Sequence, residues 1–513
     1  MSSAPTAKPF QEKWILLSTI LASSMAFIDS SALNVALPAI QRALDVKGTG
    51  LLWIVNAYTL FLSALLLVGG ALGDQYGRNR VFGAGIILFA VSSLACGLAP
   101  SPTFLITARI AQGVGGALMV PGSLSIITAL FPANKRGRAI GTWSMFSALT
   151  TVLGPVLGGW LAGIGWWRAV FFINIPLAGI ALYAMSRFPE SRASQARPLD
   201  LNGAVLATLG MGLLTYGFIQ GSEAGWEKPR IIAGLSTGAL ALITFIWWEL
   251  RTSHPMMRPR LFSIRTFTVA NAQTLLIYAS LGGMLFFIPL NLVQVQGYSE
   301  QQTGLAMLPF ALLISGLSRL SGSWVDRVGA RPPLLLGPLI CAVGYWFLGR
   351  TGLTSGPAQY WSTFFPALLA LGAGMGITVA PLTTAVMGAV PDDSTGAASG
   401  INNTFARMST VLAIAILGAI ALTGFRQNLE EETANLSLSP AVQQALEQEA
   451  EKLAEAQPPA SAALSKEKQI QQAIDRSFVR VFQQLSWIAA GLCLLGASLS
   501  YWLKPTKKDP EGD

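Results

Sequence analysis

Gly70-Ala-Leu-Gly-Asp74-Gln-Tyr-Gly77-Arg78-Asn-Arg80 is a short polar break between two apolar runs, one from about Leu51 to Leu72 and one from Val81 to Leu98. It is too short to be a domain, so it reads as a charged hairpin between two membrane helices. Gly70, Gly73 and Gly77 permit close backbone approach and positive φ. Asp74 is placed to cap the helix that follows, and Arg78 and Arg80 are cations suited to a membrane edge. A second copy, Gly322-Ser-Trp-Val-Asp326-Arg327-Val-Gly329-Ala-Arg331, repeats the Gly-xxx-Asp-xx-Gly spacing about half the chain later. A repeated helix–hairpin–helix unit implies internal duplication of a membrane bundle.

Composition agrees. Hydrophobic residues are 52% of the 513 and charged residues 12%, with a mean hydropathy of +0.52. A soluble chain carries about twice that charge, so most of this one must lie in lipid. Cys96, Cys341 and Cys493 each fall inside an apolar stretch, which is neither a disulfide framework nor a metal cluster. The single histidine, His254, sits in a basic loop, so a histidine metal site or triad cannot be built. No metal and no cofactor is expected. The net charge of +9 reflects Lys and Arg at one membrane face rather than a nucleic-acid partner. An ATP-driven pump is disfavoured because no Gly-xxxx-Gly-Lys-Ser/Thr loop occurs, and an enzyme because no nucleophile–base set does. The first apolar run is long and contains Asp29, unlike a cleavable signal.

A spanning helix needs about 20 mostly apolar residues. Fourteen segments qualify: 14–38, 50–72, 81–99, 103–130, 139–163, 169–187, 201–220, 231–250, 267–292, 303–325, 333–351, 361–388, 396–424 and 478–503. With the N-terminus inside, the inner loops hold cation groups such as Arg78 and Arg80, Lys135, Arg136 and Arg138, and Arg251, Arg258, Arg260 and Arg265. The outer loops hold far fewer, among them Arg42, Lys47, Arg168 and Arg350. This bias puts both termini in the cytoplasm and the protein, multi-pass, in the plasma or inner membrane. The loop from Pro391 to Gly396 lacks a cation and departs from the pattern locally.

Residues 425–477 are rich in Glu, Gln, Ala and Pro and do not read as membrane. Ser439-Pro440 starts a helix, Ser as cap and Pro in the first turn. Val442, Leu446, Ala450 and Leu453 mark one apolar stripe, and Ile470, Ile474 and Phe478 a second. The segment is expected to be an external helical hairpin, either a solvated lid on the bundle or a gate for substrate.

Several stretches together resemble the fourteen-spanning drug:proton antiporter branch of the major facilitator superfamily. They are Asp29-Ser-Ser-Ala-Leu-Asn34-Val-Ala-Leu-Pro38, the 70–80 hairpin, Arg109-Ile-Ala-Gln112-Gly113-Val-Gly115-Gly116 and Gly154-Pro155-Val-Leu-Gly158-Gly159. Trp167-Arg168-Ala-Val-Phe171-Phe172-Ile-Asn174-Ile-Pro176 and Gly400-Ile-Asn402-Asn403 are similar to that branch too. Thr150 stands where the antiporter motif usually leads with Gly. The resemblance implies an all-α membrane fold of two six-helix bundles, residues 1–195 and 256–513, with two extra helices between them at 196–255. It also implies alternating access about a site near the midplane, driven by the proton gradient.

Asp29 is the one acidic residue well inside a span of the first bundle, where a carboxylate must face a cavity or a partner. Helical rise places it about 13 Å below the outer end of its span and Arg109 about 9 Å below the outer end of the fourth, so the two share a depth. Arg109, Gln112, Gly113 and Gly116 share one helix face. Asp29 with Arg109 therefore forms the proton-coupling candidate; a permanently ionised structural pair is the alternative. Gly154, Pro155, Gly158 and Gly159 permit close packing and a bend, and the resemblance adds a seal between bundles. Gly70, Asp74, Gly77, Arg78, Asp326 and Arg327 are candidates for a gate latch, with plain positive-inside anchoring as the alternative.

Polar and aromatic residues suited to a substrate cavity are Asn34, Asn56, Tyr58, Gln112, Asn174, Asn271, Gln273, Asn291, Gln294 and Asn403. Arg407 and Arg319 lie in spans with no evident acid nearby; Arg407 either snorkels or lines the cavity. The leading function is proton-coupled export of small amphiphilic compounds. A dedicated metabolite or organic-anion transporter is the second reading, and a non-transporting receptor or assembly factor the third. Expected partners are the bilayer, protons and a small molecule, with an accessory envelope protein as a further candidate.

Overall fold

The computed structural model describes residues 9–191, 200–255, 257, 259–390, 395–436, 438–459, 462 and 464–503. They are almost wholly helical. The first half runs α1 (Pro9–Leu44), α2 (Gly48–Tyr76), α3 (Arg78–Gly97), α4 (Pro102–Leu130), α5 (Ala133–Gly163), short α6 (Ala169–Phe172) and α7 (Asn174–Met185). Next come α8 (Leu201–Ala224) and α9 (Pro229–Arg251). The second half holds α10 (Arg265–Leu290), α11 (Glu300–Ala306), α12 (Leu308–Val328), α13 (Arg331–Arg350), α14 (Phe364–Gly388), α15 (Thr395–Thr433), α16 (Pro440–Glu449) and α17 (Leu464–Leu499). Each of the fourteen expected segments falls on one of these helices or on a consecutive pair. Among the described residues, 11 helices are long and apolar enough to cross a membrane.

The two halves repeat one packing device. In the first, Gly113 of α4 meets the backbone of α2: a Cβ there would lie 2.5 Å from the Tyr58 carbonyl oxygen. Gly115 turns the neighbouring face to α3, where a Cβ would lie 2.6 Å from the Phe89 nitrogen. In the second, a Cβ on Gly372 or Gly376 of α14 would lie 2.7 or 2.8 Å from the Phe310 or Leu313 carbonyl oxygen of α12, and one on Gly374 2.6 Å from the Gly337 carbonyl oxygen of α13. Small residues let helix backbones touch, which lipid-embedded helices need because the hydrophobic effect does not drive them together. α2–α3 and α12–α13 are the helix pairs that flank the two hairpin copies. Gly77 and Gly329, at the same motif position, both take the left-handed backbone, with φ 112° and 79°.

The hairpin corrects one expectation. Asp74 does not cap α3; it lies in the last turn of α2, and Arg78 donates to it from Nε at 3.0 Å. The start of α3 is held instead by Glu190, whose Oε1 accepts from the Asn79 backbone N–H at 2.8 Å. Glu190 is far along the chain, and nothing in the local pattern points to it. The side chains of Asp326, Arg327 and Arg319 lie outside the described residues.

The 425–477 segment is also different from the expected separate hairpin. α15 continues unbroken to Thr433 and α17 begins at Leu464. At 1.5 Å per residue, the 39 residues of α15 reach about 58 Å, well beyond a hydrocarbon core of about 30 Å. Only α16 and its flanks cross between the extended helix ends. Ser439 caps α16 as expected, accepting from the Val442 N–H, and Val442, Leu446, Ala450, Leu453, Ile470, Ile474 and Phe478 are all buried.

This crossing segment docks on the α1–α2 turn. Gln41 donates to the Lys452 carbonyl at 3.0 Å, Lys47 pairs with Glu451, and Lys452 lies 3.7 Å from Asp45. Beside it, Gln294 donates to Gln41 at 2.8 Å and Arg42 pairs with Glu300 of α11. One end of the molecule is thereby tied across both halves. α8 packs against both α2 and α15, and α9 packs on α8.

Candidate functional site

Asp29 and Arg109 meet, as their matched depth requires. Arg109 Nη1 donates to Asp29 Oδ2, and both residues are sealed from solvent, at 0% and 1% exposure. Gln112, one turn along α4 from Arg109, donates to Asp29 Oδ1 at 2.8 Å and accepts from Arg109 Nη1 at 2.8 Å. Arg109 Nε donates to the Ile54 carbonyl at 3.2 Å, and its guanidinium lies 4.3 Å over the Tyr58 ring. Gln112 Nε2 also approaches Ser93 at 3.3 Å, and Ser93 accepts from Asn174 at 2.9 Å. A buried pair of charges is tolerated only when its remaining polar atoms are satisfied, and this network does that for both carboxylate oxygens. The Gly113 and Gly115 contacts set the distance between α4, α2 and α3, and so place Arg109 and Gln112.

A cavity of about 370 Å³ lies between the halves, lined from α1, α2, α4, α10, α14 and α15. Asn34, Tyr58, Asn403 and Arg407 line it, as does Arg109. Asp29 does not; it stands behind Arg109. The other expected cavity residues are elsewhere. Gln112 and Asn174 belong to the Asp29 network. Asn271 donates to the Phe267 carbonyl and accepts from Asn402, and Gln273 donates to the Leu334 carbonyl, so both are helix-packing bonds. Asn291 accepts from Gln296, and Gln294 bonds Gln41 at the tied end. Asn56 is wholly buried, its amide atoms without hydrogen-bond partners among the described residues. Polarity alone cannot separate these roles, because an amide in a span serves helix packing as readily as ligand binding. Tyr278, Thr383, Asn402 and Thr410, which the sequence reading leaves out, line the cavity. The Gly-Ile-Asn-Asn stretch was the available signal for Asn402.

The Gly-Pro motif of α5 has two faces. Gly154 and Gly158 press on Ser31 and on the Ala32 backbone of α1. Gly159 presses on the Glu300 carbonyl of α11, and a Cβ on Gly304 would lie 2.6 Å from the Pro155 carbonyl oxygen. The motif thus packs α5 within its own half and also against the other. Next to it is an apolar pocket of about 160 Å³ that shares Asn34 and Leu285 with the central cavity.

The Major Facilitator Superfamily profile matches residues 19–414. The chain is 36% identical over 417 residues to the multidrug resistance protein Stp of Mycobacterium tuberculosis, covering 81% of this chain and 77% of that protein. It is 34% identical to the cephamycin export protein CmcT of Amycolatopsis lactamdurans, covering 82% and 87%. Among solved structures, it is similar to an inward-facing, unoccupied bacterial homolog of the human lysosomal transporter Spinster, with a TM-score of 0.65, 18% identity, and 96% and 98% of the two chains covered. Motifs, fold and sequence relatives agree: the chain is a membrane transporter, not an enzyme, and belongs to the Major Facilitator Superfamily.

Proposed function

We propose that this protein is a proton-coupled exporter of small amphiphilic compounds, of the fourteen-spanning drug:proton antiporter branch, working by alternating access. The observation that carries the reading is the sealed Asp29–Arg109–Gln112 network directly behind the central cavity. Ionisable groups inside a membrane span mark proton and substrate pathways. Asp29 is the group that takes and releases the coupling proton, and Arg109 is the contact through which the cavity senses its charge. The names of relatives such as Stp and CmcT support export of drug-like molecules.

On this reading the halves 1–195 and 256–513 rock about the cavity, with α8 and α9 between them. The termini face the cytoplasm, and the end tied by Arg42–Glu300 and the α16 segment is the outside, closed in this state. The Gly154–Gly159 motif seals the path between the halves. The 70–80 hairpin acts as a latch in the opposite state; here Asp74 and Arg78 pair within one half.

The test is proton flux in energised inverted vesicles, scanned with lipophilic cations, neutral drugs and organic anions. The proposal expects proton release on adding a substrate. Substrate accumulation that ignores the proton gradient contradicts it.

A further inference from the structure

Two guanidinium groups line the central cavity, and among the described residues no carboxylate does. Arg109 is neutralised from behind by Asp29. Arg407 is not neutralised: among the described residues it has no ion pair and no hydrogen bond, and the ionisable groups that act on it are the phenols Tyr58 and Tyr278. A cation held in a membrane-embedded cavity without a counterion is costly and is retained where function needs it. A snorkelling arginine would escape to the interface, whereas Arg407 lines the cavity together with Tyr58 and Tyr278.

The surroundings of Arg407 fit an anion. The Tyr58 hydroxyl is buried beside the Ser30 hydroxyl, and both residues line the cavity. The Tyr58 ring carries Arg109 on its face, and Tyr58 also acts electrostatically on Arg407 across the cavity they both line. A guanidinium matches a carboxylate's two oxygens with two parallel donors. The adjoining pocket formed by Val35, Pro155, Leu285, Pro289 and Phe310 is apolar. The polar cavity and this apolar pocket adjoin at Asn34 and Leu285.

We propose that the cavity selects amphiphilic organic anions, with the substrate's carboxylate on Arg407 and Tyr58 and its apolar body in the pocket beside Pro155. This rests on the transporter reading above and assigns its substrate class.

The experiment uses the full chain in proteoliposomes and three probes that share one fluorophore: dansyl-aminocaproate, its methyl ester, and the cation dansyl-cadaverine. Binding is read from dansyl emission, and transport from accumulation under an imposed proton gradient. The carboxylate should bind about tenfold or more tightly than the ester, the size of one charge-assisted contact, with the amine weakest. Arg407→Gln should remove the preference for carboxylate over ester, and Arg407→Lys should restore part of it, which shows that the site still folds. Equal binding of the three probes, preference for the amine, or an unchanged carboxylate preference in Arg407→Gln overturns the proposal. If the ester or the amine accumulates and the carboxylate does not, the anion assignment falls and the transporter reading stands. If none of the three accumulates although the carboxylate binds with the stated preference, the site assignment stands and the proton-coupled reading falls.

Discussion

Arg109 faces the central cavity while its ion-pair partner Asp29 does not reach it. The guanidinium is a screen with a carboxylate behind it. On the proposed reading, a change in the charge of Asp29 is felt in the cavity through Arg109, and a substrate that displaces Arg109 exposes Asp29. Both residues are on rigid helix interiors, held by Gln112, by the Ile54 carbonyl and by the Tyr58 ring.

Removing one partner of this pair leaves an uncompensated buried charge. Arg109→Ala should lower stability by about 3–5 kcal/mol and abolish transport. Thermal unfolding in detergent, followed by size-exclusion elution, measures it. Replacing both residues, Asp29→Asn with Arg109→Gln, should restore much of the stability without restoring proton-driven transport. A double variant no more stable than Arg109→Ala argues against the charge account.

The two left-handed glycines should behave alike. Gly77→Val and Gly329→Val each force a β-branched side chain into a backbone it rarely adopts, at about 1–3 kcal/mol. At Gly77 the added Cβ also comes within 3.0 Å of the Glu190 carboxyl carbon, the group that holds the start of α3. Thermal-shift curves of the two variants check the loss at each position.

Gly159 is where α5 meets α11, and a side chain there would strike the Glu300 carbonyl. Gly159→Val should keep the tied end from closing. A cysteine placed at Gln41 should then react with an impermeant thiol reagent several-fold faster, against a quiet background because Cys96, Cys341 and Cys493 are buried. Gly179, with open space around it, is the control position. Equal labelling in Gly159→Val and Gly179→Val removes the sealing role.

Docking of the α16 segment should weaken as pH rises. Burial pushes the Glu455 carboxyl up from 4.5 to about 7, against the lowering effect of Arg42 and Lys452 and with smaller raising effects from Asp45 and Glu449. A carboxyl whose value is raised on docking binds a proton when the segment docks. Docking is then strongest below about 4.5 and loses that contribution as pH climbs through about 7. The anisotropy of a fluorophore on exposed Glu447→Cys should fall over that range, and Glu455→Gln should flatten the curve. A rise with pH contradicts the sign.

The helix positions and the repeated hairpin were legible because spacing and hydropathy encode them directly. The same was true of the Asp29–Arg109 pair, where two intramembrane charges at one depth leave few alternatives. Asn271, Gln273 and Gln294 could not be sorted from Asn34 and Asn403, since all are amides in or near spans and only the facing helix decides their role. The Glu190 cap and the docking of Lys452 on Gln41 join residues far apart in the chain, which no local pattern reports. The run-on of α15 and α17 past the bilayer was hidden because both ends are polar but still good helix formers.

If Asp29 carries the coupling proton, Asp29→Asn in proteoliposomes preloaded with a transported probe separates exchange from accumulation. The variant should still exchange probe across the membrane but neither accumulate it under a proton gradient nor move protons when probe is added. Concentrative, proton-driven accumulation by Asp29→Asn at the wild-type level contradicts it.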